Sequence, residues 1–408
     1  MGSYCALTFD DLDVINAKST VPDVFISLFQ ETDRRVERTD DPDDPQCRVA
    51  YVVERHIMLQ RLDVLGITAE AARAAYQKWK ATQLEMYQEH AEDGSEWAVV
   101  ALAALESLTY ATWSARVPEI LKIQFTLDRG VARDEVERNM LERDDGWLFF
   151  EAGDMRLLVR ALLDACADAR QVILDISDLI GGGYLEDNVR LCDEARRPGA
   201  IARPLLEPTV ILGEGGSDIR ILRQSLQALF PYLTDYFGFF EHDELRVDGG
   251  VGYLIKFLQA FVAARISSRM VALFDNDTAG REAFDRASAL PLPSNIKVLR
   301  LPDIPLAKAY PSIGPQGEHP VDVNGKAAGI ELYLGQRNLL SADGRLVPVR
   351  WRGYSDKMGA YQGEVEGKAD VLKRFERDLR VERTPDEAQA AFPELAAVWR
   401  MIFNALRE

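Results

Sequence analysis

Cysteine and histidine are scarce in this 408-residue sequence, which contains four of each. No two cysteines form a CxxC pair, so a zinc ribbon and a thioredoxin-type redox motif are excluded. The N-terminus has neither the basic nor the apolar segment of a secretory leader. Scattered cysteines in such a chain are typical of free thiols in a reducing compartment. We therefore expect a cytoplasmic protein.

Long hydrophobic runs and a phosphate-binding loop are also missing. The longest apolar run, Trp97–Leu105, is too short to cross a bilayer, which requires about 20 residues. No GxxxxGK[ST] sequence occurs, so the chain is predicted not to be an ATPase by itself. The sequence thus predicts a protein that does not span a membrane, and any ATPase would be a partner protein.

Positive charge is in deficit. Lysine and arginine number 48 against 66 acidic residues, which gives a formal net charge of −18. Affinity for nucleic acid depends largely on contacts to phosphates, so a chain this acidic should bind nucleic acid weakly at physiological salt. If nucleic acid is the substrate, we expect metal ions, a sensor partner or self-association into an oligomer to support binding.

The length predicts two or three domains, because a domain usually contains about 100–200 residues. Residues 1–200 are predicted to be mostly α-helical, with a short β-hairpin at the start. The helical pattern is expected to begin at Arg48 and to continue to about Phe125. His56 has apolar neighbours at helical spacing and is interpreted as a core residue. The apolar residues with this spacing are Val49, Val52, Val53, Ile57 and Leu59.

Residues 205–335 have the alternating pattern of an α/β domain. Apolar runs at Thr209–Leu212, Met270–Phe274 and Ile296–Leu301 alternate with helical segments, and this order predicts a mainly parallel sheet. Residues 336–408 are expected to form a C-terminal extension. It is predicted to be loop-rich around Trp351–Tyr361 and helical beyond that point. The predicted fold class is therefore α/β.

Acidic residues follow two of these predicted strands. Glu214 comes after the first strand, in a glycine-rich turn, and Asp275 and Asp277 come after another. In open α/β sheets, ligands bind at the carboxyl ends of the strands. Acids that meet there repel one another unless a cation neutralises them. Because all the donors are oxygens, we expect Mg²⁺ first and Mn²⁺ second.

Each acid also has an ordinary interpretation when it is considered alone. Glu214 could be a solvated loop carboxylate, and Asp218 could be an acid that favours the dipole of the following helix. Asp275 and Asp277 could form an Asx turn. The combination of both groups within one α/β unit favours a shared site, because that edge of the sheet is where ligands bind.

The two segments that carry these acids resemble the Toprim domain. The segments are VILGEGGSD at positions 210–218 and ALFDNDTAG at positions 272–280. The Toprim domain has a glutamate that ends one strand and a DxD after a later strand, and it occurs in topoisomerases, primases and OLD-family nucleases. The N-terminal stretch and Tyr310–Leu334 resemble the HEPN/Toprim-associated proteins, which are bacterial proteins that pair a HEPN-like helical region with a Toprim domain.

The resemblance implies specific roles for the acids. Asp275 and Asp277 would hold Mg²⁺, and Glu214 would be a metal ligand or the general acid/base of phosphodiester chemistry. Asp218 would serve a second metal, as in OLD-type nucleases. Two metals could activate the attacking water and stabilise the leaving oxygen.

Toprim nucleases also use a later basic residue. Lys326 is the candidate for this role and Glu331 is the candidate for a further metal ligand, with Asp322 a weaker candidate for the same cluster. Lys326 would offset charge that develops on the phosphate. The alternative for Lys326 is a solvated loop lysine.

The N-terminal region departs from active HEPN ribonucleases, which carry an arginine followed by a histidine after four to six residues. None of the four histidines has an arginine at that spacing. The N-terminal region is therefore predicted to be a scaffold, an oligomerisation surface or a sensor without catalytic residues.

The resulting functional hypothesis is a metal-dependent endonuclease that cleaves DNA or RNA and acts as the effector of a bacterial antiphage or toxin-like system. The alternative is a non-catalytic Toprim-fold subunit that binds or signals within a larger defence complex. A primase would be expected to carry a zinc module, and no cysteine and histidine spacing supplies one. A type IA topoisomerase would need a nucleophilic tyrosine within a much larger clamp.

Overall fold

The computed structural model describes residues 2–38, 47–124, 132–142, 146–197, 206–240 and 251–407. The chain divides into two compact units, one that extends to Leu206 and one that runs from Glu207 to Leu406.

Among the described residues, no single helix has the length and apolar character needed to cross a membrane. One pair of helices bent by 104°, Glu96–Ser107 with Tyr110–Ile123, meets that requirement only when the two are taken together.

The first unit is built on a five-stranded sheet whose paired neighbours all run antiparallel, in the order β2-β1-β5-β4-β3. Its strands are β1 (Tyr4–Phe9), β2 (Leu12–Lys18), β3 (Arg34–Arg38), β4 (Cys47–Glu54) and β5 (Gln171–Asp175). Its helices are α1 (Asp23–Ile26), α2 (Arg55–Val64), α3 (Ala69–Glu92), α4 (Glu96–Ser107), α5 (Tyr110–Gln124), α6 (Glu135–Leu141), α7 (Met155–Ala165), α8 (Ser177–Gly181) and α9 (Leu191–Arg196).

The first unit contains a five-stranded sheet where the sequence predicted only a hairpin. The prediction that helical structure begins at Arg48 is wrong. Cys47–Glu54 forms a strand, because its buried residues Val49 and Val53 fit a two-residue period as well as a helical one. The predicted core position of His56 is also wrong, since its side chain is 64% exposed. Thr68 is the N-cap of helix α3, because the Thr68 hydroxyl accepts a hydrogen bond from the Ala71 amide at 3.1 Å.

The second unit contains a four-stranded sheet in the order β10-β8-β6-β7, and all three pairs are parallel. This confirms the predicted parallel sheet and the α/β character of the unit. Its strands are β6 (Thr209–Leu212), β7 (Phe237–Phe239), β8 (Met270–Phe274) and β10 (Ile296–Arg300). Its helices are α10 (Gly216–Leu229), α11 (Val251–Ala263) and α12 (Thr278–Ser288).

Further strands and helices complete this unit. They are β9 (Asn276–Asp277), β11 (Tyr310–Gly314), β12 (Gly317–Val321), β13 (Ala327–Ala328), β14 (Val349–Ser355), β15 (Ala360–Val365), α13 (Lys368–Leu379), α14 (Pro385–Ala391) and α15 (Pro393–Arg407). Strands β12-β11-β14-β15 form a second sheet, and β9 pairs with β13. The helices predicted near the C-terminus are confirmed.

The loops predicted around Trp351–Tyr361 are wrong, because β14 and β15 form an antiparallel hairpin there. The register shifts between Trp351 and Gly353, which interrupts the two-residue alternation of side chains. The alternation that would identify a strand in the sequence is therefore broken at this point.

Candidate carboxylate site

The parallel sheet brings Glu214 and Asp275 together. Strands β6 and β8 are neighbours, and each acid follows the carboxyl end of its strand. The Glu214 Oε1 atom accepts a hydrogen bond from the Asp275 amide at 3.0 Å. The predicted proximity of the two acids at one sheet edge is therefore present in the structure.

Asp277 is held by two hydrogen-bond donors. Its Oδ1 atom accepts a hydrogen bond from the Gly280 amide at 2.7 Å, so Asp277 is the N-cap of α12. Its Oδ2 atom accepts one from Gln362 Nε2 at 2.5 Å. Gln362 lies on β15, and its Oε1 atom also accepts from the Ala279 amide at 3.0 Å. The sequence analysis did not identify Gln362, because no local motif connects it to Asp277.

Gly280 allows α12 to begin directly against Asp275. A β-carbon at Gly280 would lie 2.3 Å from the Asp275 carbonyl oxygen and 2.9 Å from its carbonyl carbon. Any larger residue would overlap this backbone, so the helix would have to move away. The glycine in ALFDNDTAG thus has a steric role in placing Asp277 beside Asp275.

Asp218 lies in the first turn of α10, close to the end of β6. Its Oδ2 atom accepts a hydrogen bond from the Gly215 amide at 2.9 Å, and its Oδ1 atom accepts one from the Ser217 hydroxyl at 3.2 Å. A β-carbon at Gly213 would lie 3.5 Å from the Asp218 Cβ atom and 3.2 Å from Ile219 Cδ1. The absence of a side chain at Gly213 therefore lets the helix start close to the strand end.

Glu331 reaches the same place through the β9-β13 pairing. That ladder places Ala328 opposite Asn276, and the short 3₁₀ helix that contains Glu331 follows immediately. The Glu331 side chain is buried, and a β-carbon at Gly329 would lie 2.7 Å from its Oε2 atom and 3.3 Å from Asp275 Oδ2. Both carboxylates therefore border the small space beside Gly329.

Lys368 supplies a positive charge to this group of acids. Its ammonium lies 3.0 Å from Glu331 Oε1, and it is the first residue of α13. The preceding Gly367 has a φ of 62°, a left-handed conformation that favours glycine and turns the chain from β15 into α13. Burial raises the pKa values of Glu214 and Asp277, and the charge of Lys368 partly offsets that rise.

Lys326, the basic residue predicted from the sequence, directs its ammonium to a backbone oxygen and not to a carboxylate of this group. Its ammonium donates a hydrogen bond to the backbone oxygen of Asp322 at 3.2 Å. Asp322 is exposed, and its Oδ1 atom accepts hydrogen bonds from the Asn324 amide and side chain at 3.0 Å each. Lys326 adjoins Asp277 through a backbone β-bridge, whereas Lys368 places its ammonium against the Glu331 carboxylate. The sequence offered no motif for Lys368, because its position depends on how α13 packs.

The acids influence one another electrostatically. Burial raises the pKa of Glu214 to about 8, with repulsion from Asp277 and Asp218 as further causes. Burial and, after it, repulsion from Glu331 raise the pKa of Asp218 to about 6.

Burial raises the pKa of Asp275 well above its usual range, and the other four carboxylates all add to the shift. Burial also raises the pKa of Asp277, and the hydrogen bonds that Asp277 accepts from Gly280 and Gln362 partly offset this rise. Asp275 is therefore the electrostatic centre of the group.

We call Glu214, Asp218, Asp275, Asp277 and Glu331 the carboxylate cluster. Its donors are all oxygens, which suits a hard cation, and a cation would relieve the mutual repulsion. In the part of the chain that the structure describes, no three histidine, cysteine or acidic side chains converge closely enough to hold an ion as they stand. The donor chemistry thus fits Mg²⁺ or Mn²⁺, and binding would require carboxylates to turn toward the ion.

Comparison with known families bears on the first unit. Residues 1–198 match the family model described as HEPN/Toprim N-terminal domain 1. This match supports the HEPN/Toprim-associated family and confirms that part of the resemblance found in the sequence. The likeness to OLD-family nucleases stays a prediction from the motifs at 210–218 and 272–280. No curated protein and no solved structure matches the chain.

Proposed function

We propose that this protein is a metal-dependent nuclease that hydrolyses nucleic-acid phosphodiester bonds at the carboxylate cluster. One observation carries the proposal: four other acids, contributed by three segments of the chain, lie around Asp275 at the carboxyl end of parallel strands, and burial and repulsion raise its pKa. Ionisable groups perturbed in this way are concentrated at functional sites. The HEPN/Toprim name of the matched family suggests a nuclease-associated protein and supports the same conclusion.

The residues of the cluster take distinct roles in this proposal. Glu214, Asp275 and Asp277 would hold Mg²⁺ or Mn²⁺, while Asp218 and Glu331 would serve a second ion. When bound, such ions activate a water molecule and stabilise the leaving oxygen.

The surrounding side chains position these acids. Gln362 orients Asp277 through its 2.5 Å hydrogen bond, and Lys368 offsets the charge of Glu331. Lys368 takes the place of Lys326 as the basic residue of the proposed site, because the Lys368 ammonium pairs with Glu331 while the Lys326 ammonium donates to a backbone oxygen.

The biological setting is inferred from the resemblance and the charge. A Toprim nuclease with a helical appendage resembles the effectors of bacterial antiphage and toxin-like systems. At a net charge of −18 the chain needs help to hold nucleic acid, so we propose activation in the cytoplasm by an ATPase or sensor partner, or by oligomerisation. The matched N-terminal region would provide the scaffold for these contacts.

A second function is favoured by a specific observation. No three potential ligands converge in the described part of the chain, and the oxygens of Asp218 and Asp277 already accept hydrogen bonds from the starts of α10 and α12. Such an arrangement suits a non-catalytic Toprim-fold subunit that binds a partner and signals. The nuclease requires Asp275 for cleavage and for metal binding, whereas the binding subunit does not.

The decisive experiment is a cleavage assay with the full-length protein. Plasmid, linear duplex DNA and tRNA are each incubated with wild type, with Mg²⁺, Mn²⁺ or EDTA. Asp275→Asn is compared with Asp285→Asn, which removes an exposed carboxylate from α12. We expect cleavage that requires metal, falls by orders of magnitude in Asp275→Asn and persists in Asp285→Asn. Cleavage that is equal in both variants would remove the cluster from the mechanism, and no cleavage by wild type would favour the binding subunit.

A further inference from the structure

One lysine lies against an acid that a second metal ion would need. The Lys368 ammonium is 3.0 Å from Glu331 Oε1, and only 7% of the Glu331 side chain is exposed. The other oxygen of this carboxylate, Oε2, borders the same small space beside Gly329 as Asp275 Oδ2. Glu331 therefore has one oxygen on the ammonium and the other beside the space that Asp275 also borders.

The charge of Lys368 acts on both acids that we assign to a second ion, Asp218 and Glu331. Burial and repulsion from Glu331 raise the pKa of Asp218, and Lys368 partly offsets that rise. Burial acts to lower the pKa of Lys368, but the charges of Glu331 and Asp275 outweigh burial and raise this pKa. The ammonium thus stays charged, and its charge acts on the acids that an added metal ion would neutralise.

The position of Lys368 in its helix is unfavourable for a cation. Lys368 is the first residue of α13, and the N-terminus of a helix favours acidic side chains over basic ones. Gly367, the N-cap of this helix, offers no side-chain acceptor. The ion pair with Glu331 is therefore what holds the ammonium at this position, and the lysine is free to leave once Glu331 binds another cation.

A divalent ion on Glu331 would compete with the ammonium. One carboxylate that binds both would hold two positive centres close together, and such charges repel strongly where water is scarce. The lysine can move more easily than the acid, because 42% of the Lys368 side chain is exposed whereas Glu331 is buried. Its flexible four-carbon stem can carry the ammonium into solvent while the backbone of α13 stays in place.

We propose that Lys368 is a resident cation that occupies the place of the second metal ion and competes with that ion for Glu331. The first Mg²⁺ or Mn²⁺ binds around Asp275 and leaves Lys368 where it is. The second ion binds only when the ammonium leaves Glu331, so it binds more weakly than the first. This inference rests on the proposed function and adds an order of metal binding to it. The two-ion site is then complete only at divalent-ion concentrations high enough to displace Lys368.

Metal binding is measured directly, by titration of the full-length protein with Mn²⁺ while electron paramagnetic resonance reports the free ion. The test variant is Lys368→Met, which keeps a long unbranched side chain and removes its charge. Lys373→Met is the matched control, because Lys373 lies on the same helix with 76% of its side chain exposed. In wild type and the control, we expect a second ion that binds at least about tenfold more weakly than the first. In Lys368→Met the second ion should bind at least about tenfold more tightly than in wild type.

Two further variants test whether charge and the shared carboxylate explain the result. Lys368→Arg keeps a positive charge, so its second ion should bind as weakly as in wild type. Glu331→Gln removes the carboxylate for which the ammonium and the second ion compete, so the second ion should be lost. Equal affinity for the second ion in wild type and Lys368→Met overturns the inference. A second ion that binds unchanged in Glu331→Gln overturns it as well.

Wild type alone supplies a measurement that depends on no variant. Lysines are acetylated with acetic anhydride at increasing Mn²⁺ concentrations, and mass spectrometry reads the extent of modification at Lys368 and Lys373. Release from Glu331 exposes the Lys368 amine, so its modification should rise over the Mn²⁺ range in which the second ion binds. Modification of the exposed Lys373 should stay constant. Modification of Lys368 that does not change up to saturating Mn²⁺ overturns the inference.

Cleavage by the same proteins distinguishes this inference from the nuclease proposal. If Mn²⁺ and Lys368 compete but wild type cleaves no nucleic acid, the nuclease proposal fails and the competition stands. If wild type cleaves with Mn²⁺ but the second ion binds equally well in wild type and Lys368→Met, the competition fails and the nuclease proposal stands.

Discussion

The ammonium of Lys368 lies 3.0 Å from the Oε1 atom of the buried Glu331. The two residues come from different segments, one at the start of α13 and one in a 3₁₀ helix. Their contact places a positive charge at the edge of a group of acids that repel one another. The charge balance of the cluster is therefore set partly by α13, a helix that follows β15 and not a strand of the four-stranded parallel sheet.

Removal of this cation should destabilise the protein. Lys368→Ala leaves Glu331 buried without its ion pair. Such a loss costs about 3–5 kcal/mol for a buried pair and about 0–1 kcal/mol for an exposed one. Because Lys368 is half-buried, we expect about 1–2 kcal/mol, or roughly 2–8 °C in melting temperature for a unit of this size. Lys373→Ala, on the exposed side of α13, is the control and should melt like wild type.

Metal binding should depend on Asp275. Saturating Mn²⁺ at about a hundred times its dissociation constant adds about 2.7 kcal/mol to the stability of wild type. Asp275→Asn should lose most of that gain, and its metal-free melting temperature should be equal to or above that of wild type, because one repelling charge is gone. Thermal melts with and without Mn²⁺ measure both effects. Equal Mn²⁺ shifts in the two proteins would show that Asp275 does not bind the ion.

Glu214 should make the metal-free protein less stable as pH rises. Its pKa in the folded state is about 8, above the value of 4.5 for an ordinary glutamate. The folded state therefore binds more protons than the unfolded state between these values, so stability falls as pH rises through this range. Glu214→Gln cannot ionise, and the melting temperature of wild type relative to this variant should decrease from about pH 5 to about pH 8.

The pH experiment is done in EDTA, with Glu382→Gln as the control for loss of an exposed glutamate. Wild type and that control should respond to pH in parallel. A parallel response of wild type and Glu214→Gln would contradict the raised pKa. With saturating Mn²⁺ the trend should reverse, because metal ligation requires the deprotonated carboxylate.

Gly280 should tolerate no side chain. A β-carbon there would lie 2.3 Å from the Asp275 carbonyl oxygen, so Gly280→Ala must push α12 away from the end of β8. We expect a loss of about 1–3 kcal/mol from this overpacking, together with weaker metal binding. Gly252→Ala in α11 is the matched control, because nothing lies within 4 Å of its β-carbon. That change should raise stability by about 0.4–1 kcal/mol.

The sequence alone determined the parallel sheet and the placement of its acids. Short runs such as Met270–Phe274 are apolar throughout and alternate with helical segments, and this pattern is typical of strands that are buried on both faces. Because parallel strands end at the same edge, the positions of Glu214 and Asp275 in the chain were enough to predict that they meet. The pattern was weaker in the first unit, where the spacing of Val49 and Val53 fits a strand and a helix equally well.

Only the tertiary structure decided which side chains surround those acids. Gln362 and Lys368 reach the cluster because a hairpin and the helix after it pack beside α12 and the segment that carries Glu331. Nothing in the residues next to Lys326 or Lys368 shows which ammonium will face the carboxylates. Local propensity and periodicity report on neighbours along the chain. The contact between Lys368 and Glu331 depends instead on the packing of segments that are distant in sequence.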